Sequence, residues 1–328
     1  MEVRQLAIRG RDFLDLQDYS KKELWQILKT AKTLKQKVDR GRSLTALRGK
    51  HLALMFEKPS TRTRVSFEVA MESLGGHVFS LGSNELQLGR GETVADTARV
   101  MSRYVDGIMA RVYKHSTLEE LAKYADVPVI NGLSDLSHPV QILGDLMTIW
   151  EKKKRLDGLK VAFVGDGNNV CNSLIVGCSM FGIDVNVACP QGYEPNERYV
   201  NSAMQYAGES GSKIQILHEP YEAVKNADVV YTDVFVSMGM DVEREKRMNM
   251  FLPKYQVNQE LFSAASKDAI FMHDLPCHRD EEVTSAVIDG ERSAVWDQAE
   301  NRAHSTRGLL YMLLYKSQIS QSRQERQA

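Results

Sequence analysis

His51-Leu-Ala-Leu-Met-Phe-Glu-Lys-Pro-Ser-Thr-Arg-Thr-Arg64 runs from a short apolar segment straight into a cluster of hydroxyls and guanidiniums. His51–Phe56 has the length of a buried strand and is too short for a helix. Beyond the cluster, Phe67, Ala70, Met71 and Leu74 recur at helical spacing, and Gly75-Gly76 supplies a stop. The stretch therefore predicts strand, loop and helix, with the loop at the strand's carboxyl end. There Ser60, Thr61, Arg62, Thr63 and Arg64 meet the unpaired first-turn N–H groups of a helix and the positive end of its dipole, an anion site suited to phosphate. Capping alone needs one hydroxyl, whereas this loop has three within four residues together with two arginines.

The same alternation extends along the chain. Gly107–Ala110 and Val127–Ile130 read as further strands of the first half, with helical segments at Lys21–Val38, Thr61–Leu74 and Thr93–Tyr104. A long helix is expected over Ser137–Lys154, with Pro139 in its first turn and Val140, Leu143, Met147 and Trp150 along one face. The charged run Glu151-Lys-Lys-Lys-Arg-Leu-Asp-Gly158 ends in a turn signal and marks a domain boundary. Strands follow at Lys160–Val164, Asp184–Ala188, Lys213–Leu217, Val229–Thr232 and Ala269–His273, and a last helix from about Asn301 to Lys316 carries Leu309, Leu310, Leu313 and Leu314. The expected class is α/β: two doubly wound parallel-sheet domains, 1–150 and 151–328, joined by interdomain helices, the C-terminal helix packing back on the first domain.

Composition narrows the partners. The 328 residues, 43% hydrophobic and 26% charged, are those of a globular chain large enough for two cores. Lys+Arg 42 against Asp+Glu 43 leaves a net charge of -1, so no basic field favours nucleic acid. Cys171, Cys178, Cys189 and Cys277 lack CxxC spacing, which argues against a zinc ribbon or a disulfide framework and for a reducing compartment. Met1-Glu2-Val3-Arg4 starts no apolar leader, and no apolar run approaches the ~18 residues of a membrane span. A cytoplasmic protein is expected.

Three further strand ends carry candidate chemistry. Gly165-Asp166-Gly167-Asn168-Asn169-Val170 resembles a dinucleotide fingerprint but has Val170 where the third glycine belongs, and the next strand ends Ala188-Cys189-Pro190 without the ribose-binding acid. Its amides suit an amino-acid zwitterion instead. Asp233 follows the strand Val229–Thr232, where a carboxylate would hold a cation. His273-Asp274-Leu275-Pro276-Cys277-His278 crowds metal-ligating residue types, but adjacent residues of an extended stretch rarely converge on one ion, and no metal is expected. His138, at a helix start with Gln141 three residues on, could polarise a carbonyl.

Taken in order, these strings resemble the transcarbamylase family over nearly the whole chain, in its ornithine branch. The matching residues are Ser60-Thr-Arg-Thr-Arg64, Gln87-Leu-Gly-Arg-Gly91, Asp96-Thr-Ala-Arg99, Arg111, His138-Pro-Val-Gln141, Asp166-Gly-Asn-Asn169, Asp233 with Ser237-Met-Gly239, His273–Pro276 and Glu300-Asn-Arg302. The resemblance implies carbamoyl transfer from carbamoyl phosphate to the side-chain amine of L-ornithine, giving citrulline and phosphate, with no metal or organic cofactor. It implies that Ser60, Thr61, Arg62 and Thr63 cradle phosphate, that Thr63, Arg111 and His138 stabilise the oxyanion, and that Gln141 and the Leu275 carbonyl orient the carbamoyl amide. Arg302 would close over the donor, and Asn169, Asp233, Ser237 and Met238 would hold the amino acid. It further implies a homotrimer or multiple of trimers, with Gln87 reaching a neighbour's donor, and a cis Leu275-Pro276 peptide.

Two positions depart from that branch. Val140 stands where a small or polar residue is common, a packing change. Asp274 replaces a cysteine and adds a second carboxylate beside the expected amine, which would favour the unreactive ammonium. That acid keeps two alternatives in view: a carbamoyltransferase for another amine, and a carbamoyl-phosphate or amino-acid binding protein without catalysis, against which Arg62, Arg111 and His138 argue.

Overall fold

The computed structural model describes residues 8–86, 91–237, 239 and 241–315. They divide into two units, one from Met1–Leu14, Lys22–Gly132 and Ala303–Ala328, the other from Asp15–Lys21 and Leu133–Arg302. Among the described residues no helix is long and apolar enough to cross a membrane.

In the first unit, α1 (Lys21–Asp39), β1 (His51–Phe56), α2 (Thr61–Glu72), β2 (His77–Gly82), α3 (Val94–Tyr104), β3 (Gly107–Arg111), α4 (His115–Tyr124) and β4 (Val129–Leu133) build a sheet of order β2-β1-β3-β4. β1 lies between β2 and β3, parallel to both. Its residues Leu52–Phe56 are buried, which is why the run is apolar on both faces. Ser60 caps α2, its side chain accepting from the Thr63 N–H, while Phe67, Ala70 and Met71 bury the inner face. The helix gives out before Gly75 at φ +83°, a conformation that a side chain strains, and a Cβ on Gly76 would meet Met71.

In the second unit, α5 (Pro139–Lys153) leads to β5 (Lys160–Val164), α6 (Asn169–Met180), β6 (Asp184–Ala188), α7 (Glu197–Ser210), β7 (Ile214–Leu217), α8 (Pro220–Val224) and β8 (Val229–Thr232). α9 (Arg244–Phe251), α10 (Gln259–Ser263), β9 (Ile270–His273) and α11 (Ser285–Ile288) follow, and α12 (Val295–Leu314) completes the order, its residues from Ala303 on belonging to the first unit. The sheet is β7-β6-β5-β8-β9, parallel throughout. α5 is buried from Pro139 to Ile149, so Val140 is a core residue, and it ends at Lys154 with φ 66°. α6 packs against it at Gly177, where a Cβ would stand 2.6 Å from Ile142 Cγ2.

Each sheet reverses its strand order once, between β1 and β3 and between β5 and β8. Loops leaving adjacent strands there diverge to opposite faces and leave a crevice at the carboxyl ends. The loop of residues 60–63 and Arg111 lie at the first of these places, and Asn168, Asn169 and Asp233 at the second.

Candidate functional site

At the first reversal, the loop after β1 and the last residue of β3 are tied together, since the Glu57 N–H donates to the Arg111 carbonyl at 2.9 Å. Arg111 therefore ends beside the start of α2, in register with Phe56. The capping bond from the Thr63 N–H to Ser60 Oγ (3.3 Å) uses one of the three hydroxyls, and no acidic residue occupies the first turn to neutralise the dipole. The two arginines of the loop differ in occupation. Arg64 is held by Glu68 one turn on (2.9 Å), whereas Arg62 has no ion-pair partner among the described residues. Arg62 is the guanidinium left for an anion. Thr61 is exposed and Thr63 buried. Gln87 lies outside the described residues.

At the second reversal, Asn168 caps α6, its side-chain oxygen accepting from the N–H groups of Val170 (3.0 Å) and Cys171 (3.1 Å). Its amide donates to Oδ2 of Asp233 at 2.6 Å, and the Val234 N–H donates to Oδ1 at 2.7 Å. Asn169 gives its amide to the Ser134 carbonyl at 2.7 Å, so the amide that meets Asp233 belongs to its neighbour. Gly167 is explained by packing: a Cβ there would lie 2.2 Å from Pro195 N. Arg247 donates to Asp166 and to the Phe235 carbonyl (2.6 Å), which ties the loop after β8 to the loop after β5. Burial still pushes Asp166 up to about 6, the Arg247 charge opposing it. Ser237 closes this loop, half-buried; Met238 lies outside the described residues.

Asp274 follows β9 with 11% of its side chain exposed. Burial, then the neighbouring Asp233 charge and a hydrogen bond to it, holds the Asp274 carboxyl well above the usual carboxylate range. Both effects favour the protonated form of Asp274, which a hydrogen bond to Asp233 accommodates. His273 completes a group of three possible metal ligands with them. Its Nδ1, however, accepts from the Leu275 N–H (2.9 Å), which leaves Nε2 to donate to Glu282 (3.1 Å). With both ring nitrogens engaged, the group is a proton-sharing acid pair on a fixed imidazole. Leu275 has φ 60° and a cis peptide to Pro276, as the resemblance implies.

His138 precedes Pro139 at the start of α5, 2% exposed, with its N–H donating to Ser173 Oγ at 2.8 Å. One turn on, Gln141 donates to Asp145 (2.8 Å) and accepts from Arg302. Arg302 fits because residue 144 is glycine: a Cβ there would lie 3.2 Å from Arg302 Cδ. Asp145 also accepts from Gln298 (2.7 Å) and Tyr231 (3.0 Å), and Gln298 accepts from the His273 N–H (2.9 Å). This buried chain joins α5, β8, β9 and α12. Burial raises Asp145 to about 6 despite its three donors. Asp145, Tyr231, Arg247, Glu282 and Gln298 were not read from the sequence; Asp145 meets Tyr231 and Gln298 from 86 and 153 positions away and Arg247 meets Asp166 from 81, separations that leave no local pattern.

The arrangement offers an anion grip on one sheet and, on the other, a hydrogen-bonded acid pair with a buried imidazole, amide and guanidinium. Residues 11–151 match the family description "Aspartate/ornithine carbamoyltransferase, carbamoyl-P binding domain", and residues 157–313 match "Aspartate/ornithine carbamoyltransferase, Asp/Orn binding domain". The chain is 58% identical over 311 residues to an ornithine carbamoyltransferase of Pyrococcus horikoshii, covering 94% of this chain and 97% of the relative. It is 57% identical over 311 residues to an anabolic ornithine carbamoyltransferase of Pyrococcus furiosus, covering 94% and 98%. The solved ornithine carbamoyltransferase structure from Pyrococcus furiosus superposes with a TM-score of 0.92 over 94% of this chain and 98% of that one.

Proposed function

The chain belongs to the aspartate/ornithine carbamoyltransferase family, and from that membership we propose that it transfers the carbamoyl group of carbamoyl phosphate to the side-chain amine of L-ornithine, releasing L-citrulline and phosphate. The observation that carries the acceptor is the charge at Asp233. Two carboxyls lie together there, and no cationic side chain among the described residues hydrogen-bonds to either. An ammonium-bearing substrate supplies the missing charge. Burial and the Asp233 charge favour the protonated form of Asp274, which weakens the electrostatic reason to seek a different amine.

The roles follow from the local chemistry. Residues 1–150 form the donor-binding domain, in which Ser60, Thr61, Thr63 and Arg62 take the phosphate and Arg111 supplies a second guanidinium. Residues 151–328 form the acceptor-binding domain, the C-terminal helix returning to the first. His138 donates to the carbamoyl oxygen as it gains charge, while Gln141 and the Leu275 carbonyl hold the carbamoyl NH2 and Arg302 neutralises the donor. Asn169 and Ser237, with Met238, hold the amino-acid end. The neutral amine attacks the carbonyl carbon, its new C–N bond replaces the bond to the phosphate oxygen, and Asp233 takes the proton lost by nitrogen. Asp274 acts by donating to Asp233, fixing which oxygen faces the amine. No cofactor takes part.

We further assign the protein to arginine biosynthesis in the cytoplasm, as a homotrimer or multiple of trimers in which Gln87 reaches the neighbour's donor. Support for self-association comes from exposed apolar side chains of the first unit: Val65 and Val69 on α2, Phe79 on β2, and Val100 and Tyr104 on α3. Light scattering with sedimentation velocity tests the trimer. Citrulline assays with a panel of amines test the reaction: turnover confined to ornithine supports it, whereas turnover of lysine or a polyamine alone, or donor binding without turnover, overturns it.

A further inference from the structure

We infer that the turn after β9 is a binding site for a divalent transition-metal ion, held by His278, Glu281 and Glu282. Glu282 is fully buried. Its Oε1 is spent, accepting from the His278 N–H at 2.6 Å and from His273 Nε2 at 3.1 Å. Its Oε2 is also buried and has no hydrogen-bond partner. A carboxylate oxygen stripped of water and given no donor is uncommon, and it asks what it is for.

That oxygen faces two further donor atoms. His278 Nδ1 lies 3.9 Å from Glu282 Oε2 and 4.0 Å from Glu281 Oε2, too far for hydrogen bonds. The three ligand atoms all lie within 4.8 Å of one another. Small rotations of two partly exposed side chains, His278 at 45% and Glu281 at 25%, would bring them to ligand bonds of about 2.0–2.2 Å around one ion. The turn is already set, since the Glu281 N–H donates to the His278 carbonyl at 3.0 Å, and Arg244 holds the other Glu281 oxygen. Exposure of His278 and Glu281 leaves an entry path while Glu282 closes the floor.

One imidazole with two carboxylates suits zinc, manganese or cobalt, with water completing the shell; the nitrogen ligand disfavours calcium and magnesium, and the absence of thiolate disfavours copper(I). The ligand set is not the contiguous His273–His278 stretch, because both nitrogens of His273 are engaged. It is also separate from the Asp233 and Asp274 pair. An ion here would clamp the turn that carries Glu282, and through Glu282 would steady His273.

The test is calorimetric titration of zinc into the chelator-treated full-length protein, with cobalt absorption as the second readout. A single saturable site per chain is expected, weakened roughly tenfold or more by His278→Gln and by Glu281→Gln, and kept by Cys277→Ser and Asp274→Asn. Glu282→Gln is avoided because its buried partners make it a risk to folding. Absence of saturable binding, binding indifferent to His278→Gln, or binding abolished by Asp274→Asn or Cys277→Ser would overturn the assignment.

Discussion

Asn168 donates its side-chain amide to Oδ2 of Asp233 at 2.6 Å while its carbonyl oxygen caps α6, so a single residue joins the start of a helix to the acid at the end of a neighbouring strand. The two bonds can be separated by mutation. Asn168→Ser keeps a capping oxygen and loses the donor to Asp233; Asn168→Ala loses both. Chemical denaturation should place Asn168→Ala about 1 kcal/mol below Asn168→Ser. Both should raise the KM for ornithine without a matching change for carbamoyl phosphate, and equal KM changes for the two substrates would count against the assignment of Asp233.

The unequal occupation of the two loop arginines predicts unequal phenotypes. Arg62→Ala should weaken carbamoyl phosphate binding roughly a hundredfold, because a charge-assisted contact to phosphate has no substitute. Arg64→Ala removes an exposed pair with Glu68, of a kind that contributes about 0–1 kcal/mol, and should leave donor affinity near wild type. Fluorescence or calorimetric titration with a phosphonate analogue of the donor distinguishes the two.

Asp274 makes a prediction on the alkaline side. While it is protonated, the acid pair carries one charge; as pH rises through its elevated pKa, a second charge appears and stabilises the bound ammonium. Each unit added to the amine pKa leaves about tenfold less neutral amine at a fixed pH. Asp274→Asn cannot ionise, so its kcat/KM should hold at higher pH where wild type falls. Superimposable pH profiles would mean that residue 274 does not sense the amine.

Buried Asp145 predicts a stability slope. Its carboxyl is raised from 3.8 to about 6, so the native state binds more protons than the unfolded chain across that interval. The contribution is therefore fully present below about pH 4 and is lost as pH rises through 6, a change of roughly 3 kcal/mol. Asp145→Asn lowers stability overall, because an amide cannot accept from Gln141, Gln298 and Tyr231 together. Its gap to wild type should nonetheless narrow between pH 4 and 7 in urea unfolding; a constant gap would show that Asp145 is ionised throughout.

Much of this was legible from spacing alone. His51–Phe56, Lys160–Val164, Asp184–Ala188 and Val229–Thr232 fall where their apolar runs predict, because strands buried on both faces admit few polar residues. β2 escaped notice because it is an edge strand whose alternate residues are exposed, so His77, Phe79 and Ser80 show no continuous run. α12 begins at Val295, earlier than its leucines suggest, because its first turns carry Gln298, Asn301 and Arg302 as buried polar residues. The anion loop and Asp233 could be read because each follows directly on a strand. Asp145 and Gln298, 153 positions apart, could not, since a bond between distant residues leaves no local pattern. The glycine at 167 was legible as a turn, but its cause, the backbone at Pro195, was not.

Both sheets carry candidate chemistry where strand order reverses, and they do so with different connections: the loop after β1 and the end of β3 for one, the loops after β5 and β8, joined by the loop after the edge strand β9, for the other. Evolution can thus rewrite the choice of nucleophile while leaving the leaving-group machinery untouched. Asp274 is a position of that kind: it lies in the single loop after β9, and its hydrogen bond to Asp233 keeps its effect within that loop's own site.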